Sequence, residues 1–143
     1  MENLTAAAAL RLPVRLRGIQ LGRPVDLLLE TVTWRAVGFV VRCGDESERF
    51  LPYAASQPRP EEIAVGSSLM LLEDVHFYRS RGTSFRGLLG VEVEHGGRAA
   101  GSLRDVVLTH GGDVSELVLQ RNGVRVQVPA SACRIAAPRA SAA

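Results

Sequence analysis

The sequence predicts an all-β protein built from two similar halves, and three observations predict it. Apolar residues recur with a period of two, as in Val124-Arg125-Val126-Gln127-Val128, which is the pattern of a half-buried strand. Turn residues cut the chain into short pieces, among them His95-Gly96-Gly97, His110-Gly111-Gly112 and Asn122-Gly123. A set of Gly, Asp, Pro and apolar residues also returns in the same order in each half, the mark of an internal repeat.

Residues 1–10, rich in Ala, are expected to fray, with Thr5–Leu10 as the helical candidate. Strands are expected at Val14–Ile19, Val25–Glu30, Ala36–Cys43 and Arg49–Leu51. Brief turns are expected after Pro52 and after Pro129. Leu69–Phe77 and Phe85–Glu94 read as further strands, followed by Leu103–Thr109, Glu116–Arg121 and Val124–Val128. Residues 137–143 read as a flexible tail. Short strands at this even spacing fit a small barrel or sandwich.

The repeat sets Gly22, Asp26, Leu29, Val40, Gly44, Pro52 and Ala55 against Gly101, Asp105, Leu108, Val118, Gly123, Pro129 and Ala132. The first unit spans 11–77 and the second 84–136. A Gly before a strand tolerates a turn or bulge. An Asp shortly after it accepts backbone N–H bonds and holds that turn. A Pro ends the last long strand because it has no N–H for the ladder. Gly22, Asp26, Pro52, Gly101, Asp105, Gly123 and Pro129 are therefore read as structural.

Composition narrows the function. All 17 basic residues are Arg, against 15 acidic ones, for a net charge of +2. With no Lys, a Walker-type phosphate loop, a Schiff base and a Lys general base are excluded. The slight charge is not that of a dedicated nucleic-acid binder. Cys43 and Cys133 stand apart without a CxxC partner, so idle thiols in a reducing compartment are expected. The uncharged apolar run Ile63–Leu72 is far short of the roughly 20 residues that span a bilayer. The start Met1-Glu2-Asn3 lacks a basic leader. A cytoplasmic protein is expected, one that sits at a membrane only through a partner.

Catalytic and metal constellations are not expected. His76, His95 and His110 read as turn residues, since a metal would need them to converge with a carboxylate or thiolate. Gly96 to Gly101 has phosphate-loop spacing, but Ser102 follows in place of Lys. Adjacent Glu73 and Asp74 would point to opposite faces of a strand. No cofactor is expected. The segment with most chemistry is His76–Arg86, which interleaves Phe77, Tyr78 and Phe85 with Arg79, Arg81 and Arg86 and carries no acid. Arg forks bind carboxylate or phosphate, and aromatic rings stack bases or fill a partner's pocket. The plain alternative is a connecting hairpin with Phe77 and Phe85 packed inward and the Arg solvated. A second basic cluster, Arg11, Arg15 and Arg17, alternates with Leu12, Val14 and Leu16, placing the Arg on one strand face.

Gly101-x-x-x-Asp105-Val106-Val107-Leu108, a Gly-Gly turn, Val114-x-x-Leu117-Val118-Leu119, Asn122-Gly123, then Val128-Pro129-x-x-Ala132 resembles the PRC-barrel family. The likeness covers about 85–135, with a weaker copy at about 14–77 that departs in Trp34 and the acidic loop Asp45-Glu46-Ser47-Glu48. The resemblance implies two small β-barrel units, either packed together or sharing one core. It also implies an interaction module without a catalytic set. The expected function is a non-enzymatic adaptor binding a protein partner, such as a membrane-associated complex, with self-association open. The alternative is RNA or ribosome-assembly binding through the Arg/aromatic connector; a small enzyme is the third reading.

Overall fold

The computed structural model describes residues 4–136. The chain is mostly strand, arranged as two curled sheets whose pairings are antiparallel except for the parallel β2–β7 pair of the first. The expected tail at 137–143 lies outside the described residues. In chain order the elements are β1 (Leu4–Thr5), α1 (Ala6–Ala9), β2 (Val14–Leu16), β3 (Ile19–Glu30), β4 (Arg35–Cys43), β5 (Glu48–Pro52), β6 (Ser56–Pro58) and β7 (Ile63–Val65). Then follow α2 (Val75–Arg79), β8 (Thr83–Ser84), α3 (Phe85–Leu88), β9 (Glu92–His95), β10 (Arg98–Leu108), β11 (Val114–Arg121), β12 (Val124–Pro129) and β13 (Cys133–Ile135).

The first sheet runs β5-β4-β3-β2-β7-β6, with β8 added beside β3. The second runs β12-β11-β10-β9-β13, with β1 added beside β10. In each sheet a long strand forms a hairpin with its successor and carries two bulges. One falls just before Asp26 or Asp105, the other just after Leu28 or Val107. Each hairpin leads to a shorter strand ending in Pro52 or Pro129, and a 3-10 turn follows at Tyr53–Ala55 or Ala130–Ala132. The fixed φ of Pro suits that turn, and its missing N–H costs no ladder bond there.

Both aspartates are buried where the strand bulges. Asp26 Oδ1 accepts the N–H of Leu27 (2.8 Å) and of Arg86 (3.2 Å), and its Oδ2 accepts the Ser84 hydroxyl. Asp105 Oδ1 accepts Val106 N–H (2.8 Å) and Ala7 N–H (3.1 Å). Each aspartate thus anchors the first turn of a short helix arriving from the other half of the chain. Gly22 and Gly101 sit where strands crowd: an added Cβ would lie 2.4 Å from the Arg42 carbonyl oxygen and 2.6 Å from that of Gln120, respectively.

Residues of both sheets form one core. Val14, Leu27, Leu29, Phe39, Val41 and Leu51 of the first pack with Leu103, Val106, Leu108, Leu117 and Leu119 of the second. The sheets are also stitched through backbone: Ala36 N–H donates to Gly112 O (2.7 Å) and Val114 N–H to Trp34 O (2.9 Å). Trp34 is buried in a left-handed turn (φ 58°), and its indole N–H donates to Cys133 O (3.0 Å).

Four local expectations change. The N-terminal stretch is not frayed over Leu4–Leu10, because β1 pairs with β10 and fully buried Ala6 and Ala9 lock α1 into the core. Val14–Ile19 is not one strand; Arg17 (φ 49°) and Gly18 (φ 82°) form a tight hairpin between β2 and β3. The Arg11/Arg15/Arg17 stripe is broken by that turn, and Arg15 instead meets Glu62 at 3.7 Å. Leu69–Phe77 is a 3-10 turn (Ser68–Met70) and the start of α2, and Phe85–Glu94 divides into α3 and β9. In each, a cap overrides the apolar pattern: Ser67, Asp74 and Ser84 accept the N–H of Leu69, Phe77 and Gly87.

Candidate interaction surface

The Arg/aromatic segment divides into two groups when folded. Phe77, Tyr78, Arg79 and Arg81 gather on the outer face of the first sheet, around α2. Phe85 and Arg86 belong to α3 and serve the fold. Phe85 is buried in the shared core. Arg86 donates its Nε to Val25 O (2.6 Å), while its backbone N–H goes to Asp26.

The reason α2 lies where it does is apolar. Leu28, Val40 and Phe50 form a small core on the outer face of the first sheet, and Leu72, Val75 and Tyr78 close over it. The Tyr78 ring stacks on Phe50 at 4.3 Å between centroids and 7° between planes. Phe77 meets Tyr78 edge-on at 5.1 Å and is 45% exposed, so it does not pack inward as expected. A helix of five residues has one inward face, and Val75 and Tyr78 occupy it.

Acids distant in sequence neutralise most of the Arg in this region. Glu48 accepts from Arg79 (3.1 Å) and from Arg42 (3.2 Å), and Arg49 meets Glu73 at 3.4 Å. The hydrogen bond from Arg79, with that from Arg42, holds the Glu48 carboxyl below the usual Glu range. Arg81 is different. Its guanidinium lies over the Phe77 ring, 4.7 Å from the centroid, and among the described residues no carboxylate pairs with it.

Beside α2 lies an open groove of about 770 Å³. Leu21, Leu69, Leu71, Leu72 and Tyr78 form its apolar walls, with Asp45, Arg49, Glu73 and Asp74 as the polar lining. A second hollow of about 580 Å³ continues from it past Leu21 and Cys43 to Arg23 and Val25. Leu69, 83% exposed, and half-exposed Met70 stand on the 3-10 turn at the groove. Sequence reasoning did not single out Leu21, Glu48, Phe50, Leu69, Met70 or Leu72. One signal was available for the last three. In the run Leu69-Met70-Leu71-Leu72 a strand buries only alternate residues on one face, so some must lie elsewhere.

The remaining candidates lie apart. His76 is exposed on α2, His95 ends β9 at the Gly96-Gly97 turn, and His110 lies in the β10–β11 turn. Among the described residues no group of His, Cys, Asp and Glu converges as a metal site would. Cys43 and Cys133 are free thiols, and burial pushes both up. No helix among the described residues is long and apolar enough to cross a membrane. No protein-family model matches the chain, and no curated protein does.

Proposed function

We propose that the chain is a non-enzymatic interaction protein of PRC-barrel type, its two units sharing one core, which holds a protein partner in the groove beside α2. The carrying observation is the pairing of that groove with Leu69, whose side chain is left 83% exposed on a capped turn while Leu71 and Leu72 pack inward. Exposed large apolar side chains next to an apolar-walled hollow are the usual composition of a contact surface. The matched aspartates, bulges and Pro-initiated turns of the two sheets support the two-unit reading. The site of action in this proposal is the cytoplasm, free or on a membrane-associated complex.

The test is recovery of a partner. Wild-type chain is expected to retain one protein reproducibly from native lysate. Leu69→Asp with Met70→Asp is expected to lose it with unchanged circular dichroism. Recovery of no reproducible partner overturns the proposal. RNA binding is the second reading, favoured by Arg81, which stacks on an exposed ring and has no acid partner among the described residues. It requires salt-sensitive RNA retention by the wild type that falls in the Arg79→Ala, Arg81→Ala double variant with unchanged circular dichroism. No RNA retention at low salt disposes of it.

A further inference from the structure

We propose that β12 is a self-association edge, pairing antiparallel with β12 of a second copy about a twofold axis through Val126. The second sheet ends at β12, which has β11 on one side. Among the described residues no segment pairs with its other side. Asn122 (φ 53°) and Gly123 (φ 77°) form a two-residue turn closed by Arg121 opposite Val124. That closing pair is hydrogen-bonded, and the pattern alternates from it. Val124, Val126 and Val128 therefore aim their N–H and C=O at β11, while Arg125 and Gln127 aim theirs outward. Pro129 offers only a carbonyl.

The first sheet shows this kind of edge filled. Phe50 lies opposite Val40 as Gln127 lies opposite Val118. Phe50 exchanges both backbone bonds with Leu72 of its own chain, each at 2.8 Å. At Gln127 the corresponding groups face outward from an exposed residue. Val124, at the start of the strand, is 61% exposed.

The strand's own chemistry selects a second copy as the occupant. With the axis at Val126, Arg125 lies opposite Gln127 of the second copy, and both pairs exchange two backbone bonds. On the other face Val124 meets Val128 and Val126 meets its own counterpart, all β-branched pairs that suit a pleated surface. An axis at Arg125 would oppose two guanidiniums. An axis at Gln127 would set Arg125 against Pro129, which returns no N–H. One register satisfies both charge and backbone, and a twofold pairing uses β12 of both copies and so closes on itself.

The experiment is sedimentation of the full chain from roughly 1 to 100 µM, a span that brackets ordinary reversible dimers. The wild type is expected to approach the mass of two chains as concentration rises. Gln127→Pro is expected to remain a single chain throughout with unchanged circular dichroism, since the N–H it removes faces away from β11. If that variant fails to fold, Val126→Cys in a Cys43→Ser background gives the answer. Facing residues on the axis form a non-hydrogen-bonded pair about 4.5 Å apart at Cα, within disulfide range. Mild oxidation is expected to link two chains in that variant, and not in Cys43→Ser alone. A wild type that stays single, or a dimer that survives folded Gln127→Pro and is not linked through Val126→Cys, overturns the proposal. Leu69→Asp is expected to leave the dimer unchanged, which separates this edge from the groove.

Discussion

On the outer face of the first sheet stand Leu28, Val40 and Phe50; on that of the second, Val107, Val118 and Gln127 occupy the corresponding pairings. The backbones agree down to the two bulges. The finish differs. The first face carries an apolar cluster roofed by Leu72, Val75 and Tyr78 and held at its rim by Arg79–Glu48. The second has polar, exposed Gln127 in place of Phe50, and its Val107 and Val118, though buried, belong to no such apolar cluster among the described residues. A large ring on a sheet face must find cover, and the cover found here is a stretch of the same chain. Where Gln127 replaces the ring, water serves, and the edge beyond it is left for another chain. Added covering material is also what leaves Leu69 and Phe77 outside, so the groove is a by-product of roofing one face and not the other.

The comparison can be broken most sharply at the paired positions themselves. Phe50→Ala should cost about 3–5 kcal/mol of unfolding free energy in urea titration, as for other buried aromatics, while Gln127→Ala should change it by less than about 0.5 kcal/mol. Equal losses would mean that the roof contributes nothing. Next come the aspartates. Asp26→Ala removes the acceptor for three donors and Asp105→Ala the acceptor for two. Both should destabilise by about 2–4 kcal/mol, with Asp26 the larger. The same titration checks the order.

Smaller effects sharpen the picture of the roof. Tyr78→Leu keeps burial but loses the ring stack, for about 0.5–1.5 kcal/mol, and near-ultraviolet circular dichroism should lose the ring signal. Acid should loosen the same contact. The folded-state pKa of Glu48 is depressed, chiefly by Arg79, so its contribution is present above the ordinary Glu value and is lost as pH falls through the lowered one. A pH titration of the Tyr78 environment should show that step in the wild type and not in Glu48→Gln. The ion pair itself is exposed, so Arg79→Ala should shift the urea midpoint by an amount equivalent to less than about 1 kcal/mol.

Much of this was legible without coordinates, and the reasons are local. Period-two patterning, the Asn122-Gly123 hairpin, the 3-10 turns after Pro52 and Pro129, and the structural place of Asp26 and Asp105 all rest on torsional or hydrogen-bonding preferences acting within a few residues. Leu69–Phe77 forms a turn and a helix rather than a strand because four apolar residues in a row satisfy strand and turn alike, and the caps Ser67 and Asp74 decide between them. The Arg/aromatic segment was found as a group but not apportioned. Whether an aromatic side chain faces the core, as Phe85 does, or stands outside, as Phe77 does, depends on what lies opposite it.

By itself, then, the sequence determined an all-β chain, the bounds of β4, β5 and β12 to within a residue, and the residues that shape several of its turns. Tertiary structure alone decided that β1 and α1 complete the second sheet while β8 and α3 complete the first. It also decided that Glu48 would quiet Arg79, and that one outer face would be roofed while the other kept an open edge. Those outcomes join residues tens of positions apart. They are set by which apolar surfaces remain uncovered once the strands have paired, and no local preference encodes that.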